Sequence, residues 1–201
     1  MFRPSLSACA HGPLKPLPKE HADMNLPEAV TGDKITLSVE EIGNRFLRLI
    51  ESLDSRDDLS PERIREKMGI TLKQPEQGRL SVGYWSNDLG DGWRYAFTYT
   101  PESFSLLKGV GLTFQNSVDD FGNMSAICTL DFEYYDRKLK EMGFNASPTY
   151  GPIGQLEDWR YSKLAKNGIG GNIVISIIPQ NLVPREQTRL CIKSIGTLNG
   201  R

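Results

Sequence analysis

The 201-residue sequence predicts an α+β fold in which a mostly antiparallel sheet packs against about three helices. Two patterns carry this prediction. Three segments repeat apolar residues at helical spacing, and the segments between and after them change to the period-two alternation of half-buried strands. Connections between the strand candidates are short, which favours antiparallel pairing over the long crossovers of a parallel sheet.

The first helix is predicted to begin after Ser38 and to continue to about residue 53. Ser38 and Glu41 match a capping box, in which each side chain accepts a hydrogen bond from the other residue's amide. The apolar positions of this segment fall on one face: Val39, Ile42, Phe46, Leu49, Ile50 and Leu53. We therefore expect the helix to pack on the body of the protein through a broad apolar stripe.

Two further helices are predicted by their end signals. The second begins at Ser60, with Pro61 at its first position, and ends near Gly69. The third covers about residues 131–143. Its apolar side consists of Phe132, Tyr135, Leu139 and Met142.

The clearest strand is residues 93–99, where four aromatic residues alternate with Arg94, Ala96 and Thr98. This alternation is typical of a strand with one buried face. The other strand candidates are 80–85, 111–115, 125–130, 147–150, 158–163, 172–178 and 189–195.

The two halves of the chain resemble each other. Trp-Arg-Tyr occurs at 93–95 and again at 159–161, each time after a helix that ends in Met-Gly and an apolar residue. These matches suggest two repeated helix-plus-strands units, near 60–131 and 132–195. The alternative is coincidence, because helix ends and aromatic strands look alike in many α+β proteins and the spacings differ.

The three cysteines suggest one lipid attachment and one disulfide. Leu6-Ser7-Ala8-Cys9 matches the lead and the cysteine of a bacterial lipobox. If Cys9 carries a lipid, Cys128 and Cys191 remain as a pair, in equivalent places of the two proposed units. That would put the folded part in an oxidising compartment, tethered to a membrane. The residues before the box are too few and too polar for an export leader. Either the true leader begins further upstream, or the match is accidental and the protein is cytoplasmic.

Composition divides the chain into two parts. Residues 1–34 contain several prolines among charged residues and almost no branched aliphatics, which predicts a disordered tether. Residues 35–201 are predicted to form the globular α+β domain. The longest apolar run, in 173–178, is far too short to span a bilayer, so the lipid would be the sole membrane attachment.

Chemistry of several kinds is disfavoured by what the predicted domain lacks. Both histidines, His11 and His21, lie in the tether, which removes histidine-based catalysis and histidine-ligated zinc from the domain. The net charge of −1 argues against nucleic-acid binding by bulk charge. Residues 87–92 resemble a calcium-binding loop in composition but lack its ligand spacing, and a hairpin turn is the favoured interpretation. We predict no catalytic residue, metal ligand or cofactor.

Three polar, glycine-containing loops are the best candidates for recognition: 86–92, 117–123 and 151–158. The predicted partner-binding residues are Asp119, Asp120 and Phe121 in one loop and Asp88, Leu89 and Asp91 in another. A large apolar residue flanked by carboxylates suits a partner with an apolar pocket and a basic rim. Ordinary solvated hairpins are one alternative, and a ligand-binding surface formed by Trp93 and Trp159 is another.

The lipobox, the size and the lack of catalytic residues resemble those of small bacterial envelope lipoproteins. Within that class the chain is similar to immunity lipoproteins, which protect bacteria from periplasm-directed toxins of contact-dependent or type VI secretion systems. The resemblance implies diacylation of Cys9, outer-membrane anchoring in the periplasm because Ala10 rather than Asp follows it, and a secreted protein toxin as partner. An envelope-assembly lipoprotein, a cell-wall or small-ligand binding module and a carboxylate-type enzyme are the alternatives.

Overall fold

The structure is a computed structural model, and it describes residues 37–72, 81–180 and 189–200. Cys9 and the predicted tether lie outside the described residues. The helices are α1 Val39–Glu51, α2 Pro61–Met68 and α3 Phe132–Glu141, with short 3-10 turns at Arg56–Asp58 and Lys166–Gly168. The strands are β1 Val82–Trp85, β2 Trp93–Thr100, β3 Gly109–Asn116, β4 Asn145–Tyr150, β5 Leu156–Lys163, β6 Ile173–Pro179 and β7 Ile192–Thr197.

The seven strands form one antiparallel sheet in the order β1-β2-β3-β7-β6-β5-β4. The predicted α+β class, with its antiparallel sheet and three helices, is confirmed. One strand prediction is wrong, because residues 125–130 form an irregular connection between β3 and α3. Ile127, Cys128 and Leu130 are nevertheless buried there, which explains the apolar pattern that imitated a strand.

Each helix begins at a side-chain cap encoded locally in the sequence. The Ser38 Oγ accepts from the Glu41 amide at 3.1 Å, and the Ser60 Oγ accepts from the Arg63 amide at 3.2 Å. At α3 the Asp131 Oδ1 accepts from the backbone amide three residues later, at 2.9 Å. These bonds satisfy amides that the first helical turn leaves without partners.

The helices cover one face of the sheet, and no helix among the described residues covers the other face. On the covered face Phe46 of α1 meets Phe97 of β2, with ring centroids 6.4 Å apart, and Phe132 of α3 meets Trp159 of β5 at 5.4 Å. The opposite face carries a row of register partners across all seven strands: Gly83, Thr98, Gly111, Gly196, Ser176, Arg160 and Ser147. Polar and small residues on the second face of a two-layer fold are ordinary for an antiparallel sheet.

The alternating strand directions divide the connections between two ends of the sheet. We call the end with connections 86–92, 117–131 and 151–155 the loop end. The end with connections 101–108 and 164–172 is the clamp end, because the buried Arg56 side chain binds the backbone there.

The two halves of the chain share an order of elements. A helix followed by three strands occurs twice, as α2-β1-β2-β3 and as α3-β4-β5-β6, and both Trp93 and Trp159 lie in the second strand of their trio. The trios run inward from opposite edges to meet β7, while all helices lie on one face. Because the two trios have reversed spatial order, one must be turned over to be placed on the other. That turn would put their buried faces on opposite sides of the sheet. Gene duplication stays a prediction.

Cys128 and Cys191 form the disulfide that the cysteine count predicted, with Cα atoms 5.4 Å apart. Each cysteine comes twelve residues after the third strand of its half, which ends at Asn116 or Pro179. Both cysteines are buried. The bond joins the connection after β3 to the start of β7, at the loop end of the sheet.

Candidate functional site

Two of the predicted loops contact each other at the loop end. The Asn116 Nδ2 donates to the Asp91 carbonyl at 2.8 Å, and the Ser117 amide donates to the Gly92 carbonyl at 3.1 Å. These bonds tie the loop that follows β3 to the β1–β2 turn. The residues predicted at 86–92 and 117–123 therefore form one continuous surface.

The third predicted loop shares this end of the sheet but lies at the far edge, between β4 and β5. It is shorter than predicted, because residues 156–158 belong to β5. Asp158 is only 8% exposed and accepts a hydrogen bond from the Ser176 Oγ at 2.5 Å. The exposed apolar side chain of this hairpin is Ile153.

The Phe121 loop, residues 117–123, presents two large apolar side chains to solvent. Phe121 is 74% exposed and Val118 is 88% exposed. The Asp119 Oδ1 accepts from the Phe121 amide at 3.0 Å, and the Asp119 carbonyl accepts from the Gly122 amide at 2.9 Å. The exposed Asp119 thus shapes the turn that carries Phe121. The prediction that Phe121 stands at an exposed tip is confirmed, whereas its binding role stays a prediction.

Asp120 has a different task from its neighbour. Its Oδ1 accepts from the Lys193 Nζ at 2.5 Å and from the Asn116 amide at 3.2 Å. The Lys193 Nζ also donates to the Asp120 carbonyl at 2.8 Å. The charge of Asp120 is therefore compensated within the protein, which reduces the number of acidic groups that a partner meets.

In the β1–β2 turn the predicted residues separate into exposed and packed side chains. The exposed Asp88 accepts from the Gly90 amide at 2.8 Å through its Oδ1. Asp91 is exposed and has a positive φ of 52°. Leu89 packs against the core and is half-buried. Leu89, a predicted partner-binding residue, therefore lies below the exposed tip, which consists of the two aspartates and Gly90.

The alternative aromatic surface is not formed by the residues proposed for it. Trp93 is 1% exposed, and its Nε1 donates to the Asn123 carbonyl at 3.2 Å beneath the Phe121 loop. Trp159 lies half-buried under Phe132. Since both rings face the helical layer, neither offers a free aromatic face for stacking.

Three residues that sequence reasoning missed support the Phe121 loop. Lys193 pairs with Asp120, and the buried Gln180 donates from its Nε2 to the carbonyls of Asp120 and Gly122 at 3.5 and 3.3 Å. The Asn116 Oδ1 accepts hydrogen bonds from the amides of Val118 and Asp119, at 2.8 and 3.0 Å. Only Asn116 had a local signal, because asparagine commonly caps turns in this way.

A cleft lies between α1 and α3, away from the loop end. Its volume is about 220 Å³, and it lies beside the hydrogen bond from the Tyr134 Oη to the Asn44 Oδ1, at 2.8 Å. Lys138 and Glu141 line it and bind each other at 2.7 Å. None of the predicted site residues reaches this cleft, so it adds nothing to the loop end.

Within the described ranges, no group of three or more histidine, cysteine, aspartate or glutamate residues could hold a metal ion. No helix in the same ranges is long and apolar enough to cross a membrane. A scan against protein-family models, a search of curated proteins and a search of solved structures each found no match.

Proposed function

We propose that this protein binds another protein through the loop end of its sheet, and that the partner is a secreted toxin which it neutralises. The observation that carries the proposal is the Phe121 loop. It exposes Phe121 and Val118 at its tip while side chains of Asn116, Asp119 and Gln180 bind its backbone. Aromatic residues, phenylalanine among them, are enriched at the centres of protein–protein interfaces.

The order of the loop supports binding because association must otherwise restrict mobile groups. Fixing one flexible side chain or loop on binding costs on the order of 1 kcal/mol, and a loop held beforehand avoids much of that cost. The Asn116–Asp91 bond extends the held region into the β1–β2 turn. A partner would thus meet a surface whose shape is already set.

The charges at this surface specify the chemistry of the partner. Asp88, Asp91 and Asp119 are exposed, and they lie on the two loops that contact each other. A partner with an apolar pocket for Phe121 and a rim of lysine or arginine would be complementary to this surface. Rim charges of this kind accelerate association more than they tighten the complex.

The proposed compartment is the periplasm. A buried disulfide such as Cys128–Cys191 persists in oxidising compartments and is rare in the cytosol. The proposed lipid on Cys9 would hold the domain at the outer membrane, where a toxin delivered from a neighbouring cell arrives. The toxin class itself is proposed from the resemblance to immunity lipoproteins.

Capture of the partner tests the binding surface. The oxidised full chain is immobilised and exposed to the secreted proteins of the native host, with Phe121→Ala and Phe104→Ala as matched variants. Phe104 is a fully exposed phenylalanine at the clamp end. We expect a protein that is retained by the wild type and by Phe104→Ala but is lost with Phe121→Ala. Equal retention by all three proteins would place the binding surface elsewhere.

Deletion of the gene tests the toxin-neutralising role. If the protein confers immunity, the deletion strain is killed by contact with wild-type siblings and is rescued by the intact gene. Normal survival of the deletion strain in that contest, together with a captured partner, would favour an assembly role instead. Fractionation of a Cys9→Ser variant tests the anchor, because only the wild type should partition with membranes.

A further inference from the structure

We propose that Lys193 is a positioning residue for the Phe121 loop, which it holds from β7 so that Phe121 points to solvent in one direction. The inference rests on the proposed function, because it concerns the loop that carries it. Lys193 lies more than seventy residues further along the chain than Phe121. Only the place of β7 beside β3 brings the two together.

The contact between Lys193 and the loop is asymmetric in its burial. The side chain of Lys193 is 17% exposed, whereas that of Asp120 is 51% exposed. The ammonium group donates to both the carboxylate and the carbonyl of Asp120, at 2.5 and 2.8 Å. A lysine largely removed from water needs such acceptors, so the side chain favours the loop conformation that supplies them.

The base of this contact is a rigid aromatic ring. The Lys193 Nζ stands 5.3 Å from the centroid of the Trp93 ring, within the range of a cation–π interaction. Trp93 is buried, and its Nε1 binds the Asn123 carbonyl at the other end of the loop. Lys193 therefore connects Asp120 to a buried residue of the core.

The two carbonyls on either side of Phe121 are both held from below. Lys193 and Gln180 bind the Asp120 carbonyl, and Gln180 binds the Gly122 carbonyl. The Asp120 carbonyl belongs to the peptide before Phe121, and the Gly122 amide, which belongs to the peptide after it, donates to the Asp119 carbonyl at 2.9 Å. Fixing the peptide groups before and after a residue restricts its backbone dihedral angles. This is how Lys193 acts on Phe121 without touching its ring.

Lys193 also determines which carboxylate of the Phe121 loop is available to a partner. Because it compensates Asp120, the carboxylate of the Phe121 loop that remains for a partner is that of Asp119. We therefore expect Asp119→Asn to reduce the salt dependence of association, and Asp120→Asn to act on the order of the loop instead.

Nitrogen-15 relaxation of the loop amides tests the proposal without a partner. In the wild type the amides of residues 118–122 should have order parameters near those of a rigid backbone, about 0.85. Lys193→Met should lower them below roughly 0.6, and Lys193→Arg, which keeps the charge, should retain most of the order. The matched control is Lys163→Met, since the Lys163 Nζ stands 5.3 Å from the centroid of the Phe144 ring at the clamp end. That variant should leave the loop unchanged.

An unchanged order parameter in Lys193→Met would overturn the proposal. If that variant fails to fold, Asp120→Asn removes the other half of the pair from an exposed loop and decides the question by the same measurement. Partner affinity adds a separate readout: a loop that is competent one-tenth of the time binds about tenfold more weakly. If the loop is disordered in Lys193→Met but the wild type captures no partner, the proposed function alone is refuted. A rigid Lys193→Met loop would refute the role of Lys193 alone.

Discussion

The two ends of the sheet each contain a buried or largely buried cationic side chain, Arg56 at the clamp end and Lys193 at the loop end, and the two side chains have different roles. At the clamp end Arg56 is 3% exposed, and its guanidinium donates to the backbone carbonyls of Lys108, Asn172 and Leu198, at 3.2, 3.3 and 2.6 Å. At the loop end Lys193 and the disulfide lie beneath the loops and leave the tips outside. The clamp end therefore closes the fold, whereas the loop end presents a surface.

Exposed apolar side chains alone do not distinguish the two ends. Phe104, Leu164 and Ile169 are exposed at the clamp end, as Phe121 and Val118 are at the loop end. The flanking chemistry differs, because Phe104 stands between Ser103 and Ser105 and Phe121 follows two aspartates. What separates a recognition surface from ordinary surface is thus the charge beside the apolar tip and the bonds beneath it.

The largest effect should come from the covalent link at the loop end. Replacing both cysteines, as Cys128→Ser with Cys191→Ser, opens a link between residues 63 apart in sequence. In the entropic model this costs on the order of 4 kcal/mol of unfolding free energy. Urea denaturation of the oxidised wild type and the double variant measures it. A loss below about 1 kcal/mol would mean that noncovalent contacts hold the loop end.

Arg56→Met should be the next largest and should act at the clamp end. It removes three part-buried hydrogen bonds to backbone carbonyls, and at about 1 kcal/mol for each bond the loss is about 3 kcal/mol in total. The control is Arg48→Met, because the Arg48 side chain is 55% exposed and its ion pair with Glu41 is worth under about 1 kcal/mol. Similar urea midpoints for the two variants would contradict a clamping role for Arg56.

Phe121→Ala should change affinity rather than stability. An exposed tip contributes little to the core, so the unfolding free energy should move by less than about 0.5 kcal/mol. Loss of a central binding residue weakens association by roughly 2 kcal/mol. Thermal unfolding and partner titration on the same protein separate the two quantities. Phe104→Ala should change neither, and an equal loss of affinity in that variant would remove the distinction between the two ends.

The smallest effect is the pH dependence that Asp58 contributes near the clamp end. Backbone amides of Ser55 and Asp54 donate to the Asp58 carboxylate at 2.8 and 2.9 Å, and these bonds lower its pKa below the ordinary value of 3.8. A lowered pKa stabilises the fold above about pH 4, and that contribution is lost as the pH falls through the lowered value. The stability difference between the wild type and Asp58→Asn should therefore be constant at neutral pH and shrink in acid. If the difference grows in acid, the pKa of Asp58 is raised in the folded protein and not lowered.

The sequence by itself determined the features whose hydrogen bonds or packing are local. The caps at Ser38 and Ser60 reach three residues along the chain, and the alternation over 93–99 directly reports one buried face. Counting cysteines identified the disulfide pair. The exposure of Phe121 followed from its place in a short polar turn. In each case the relevant partners are neighbours in sequence, or there are too few alternatives to confuse them.

The tertiary structure decided everything that depends on strand order. Alternation does not encode which strands are neighbours, so neither the insertion of β7 between β3 and β6 nor the pairing of Lys193 with Asp120 could be foreseen. The same reason hides Arg56, whose acceptors are 52 to 142 residues away. Residues 125–130 were misread because burial produces an apolar pattern whether or not a strand is there to pair. Long-range partners become visible only when the whole sheet is assembled.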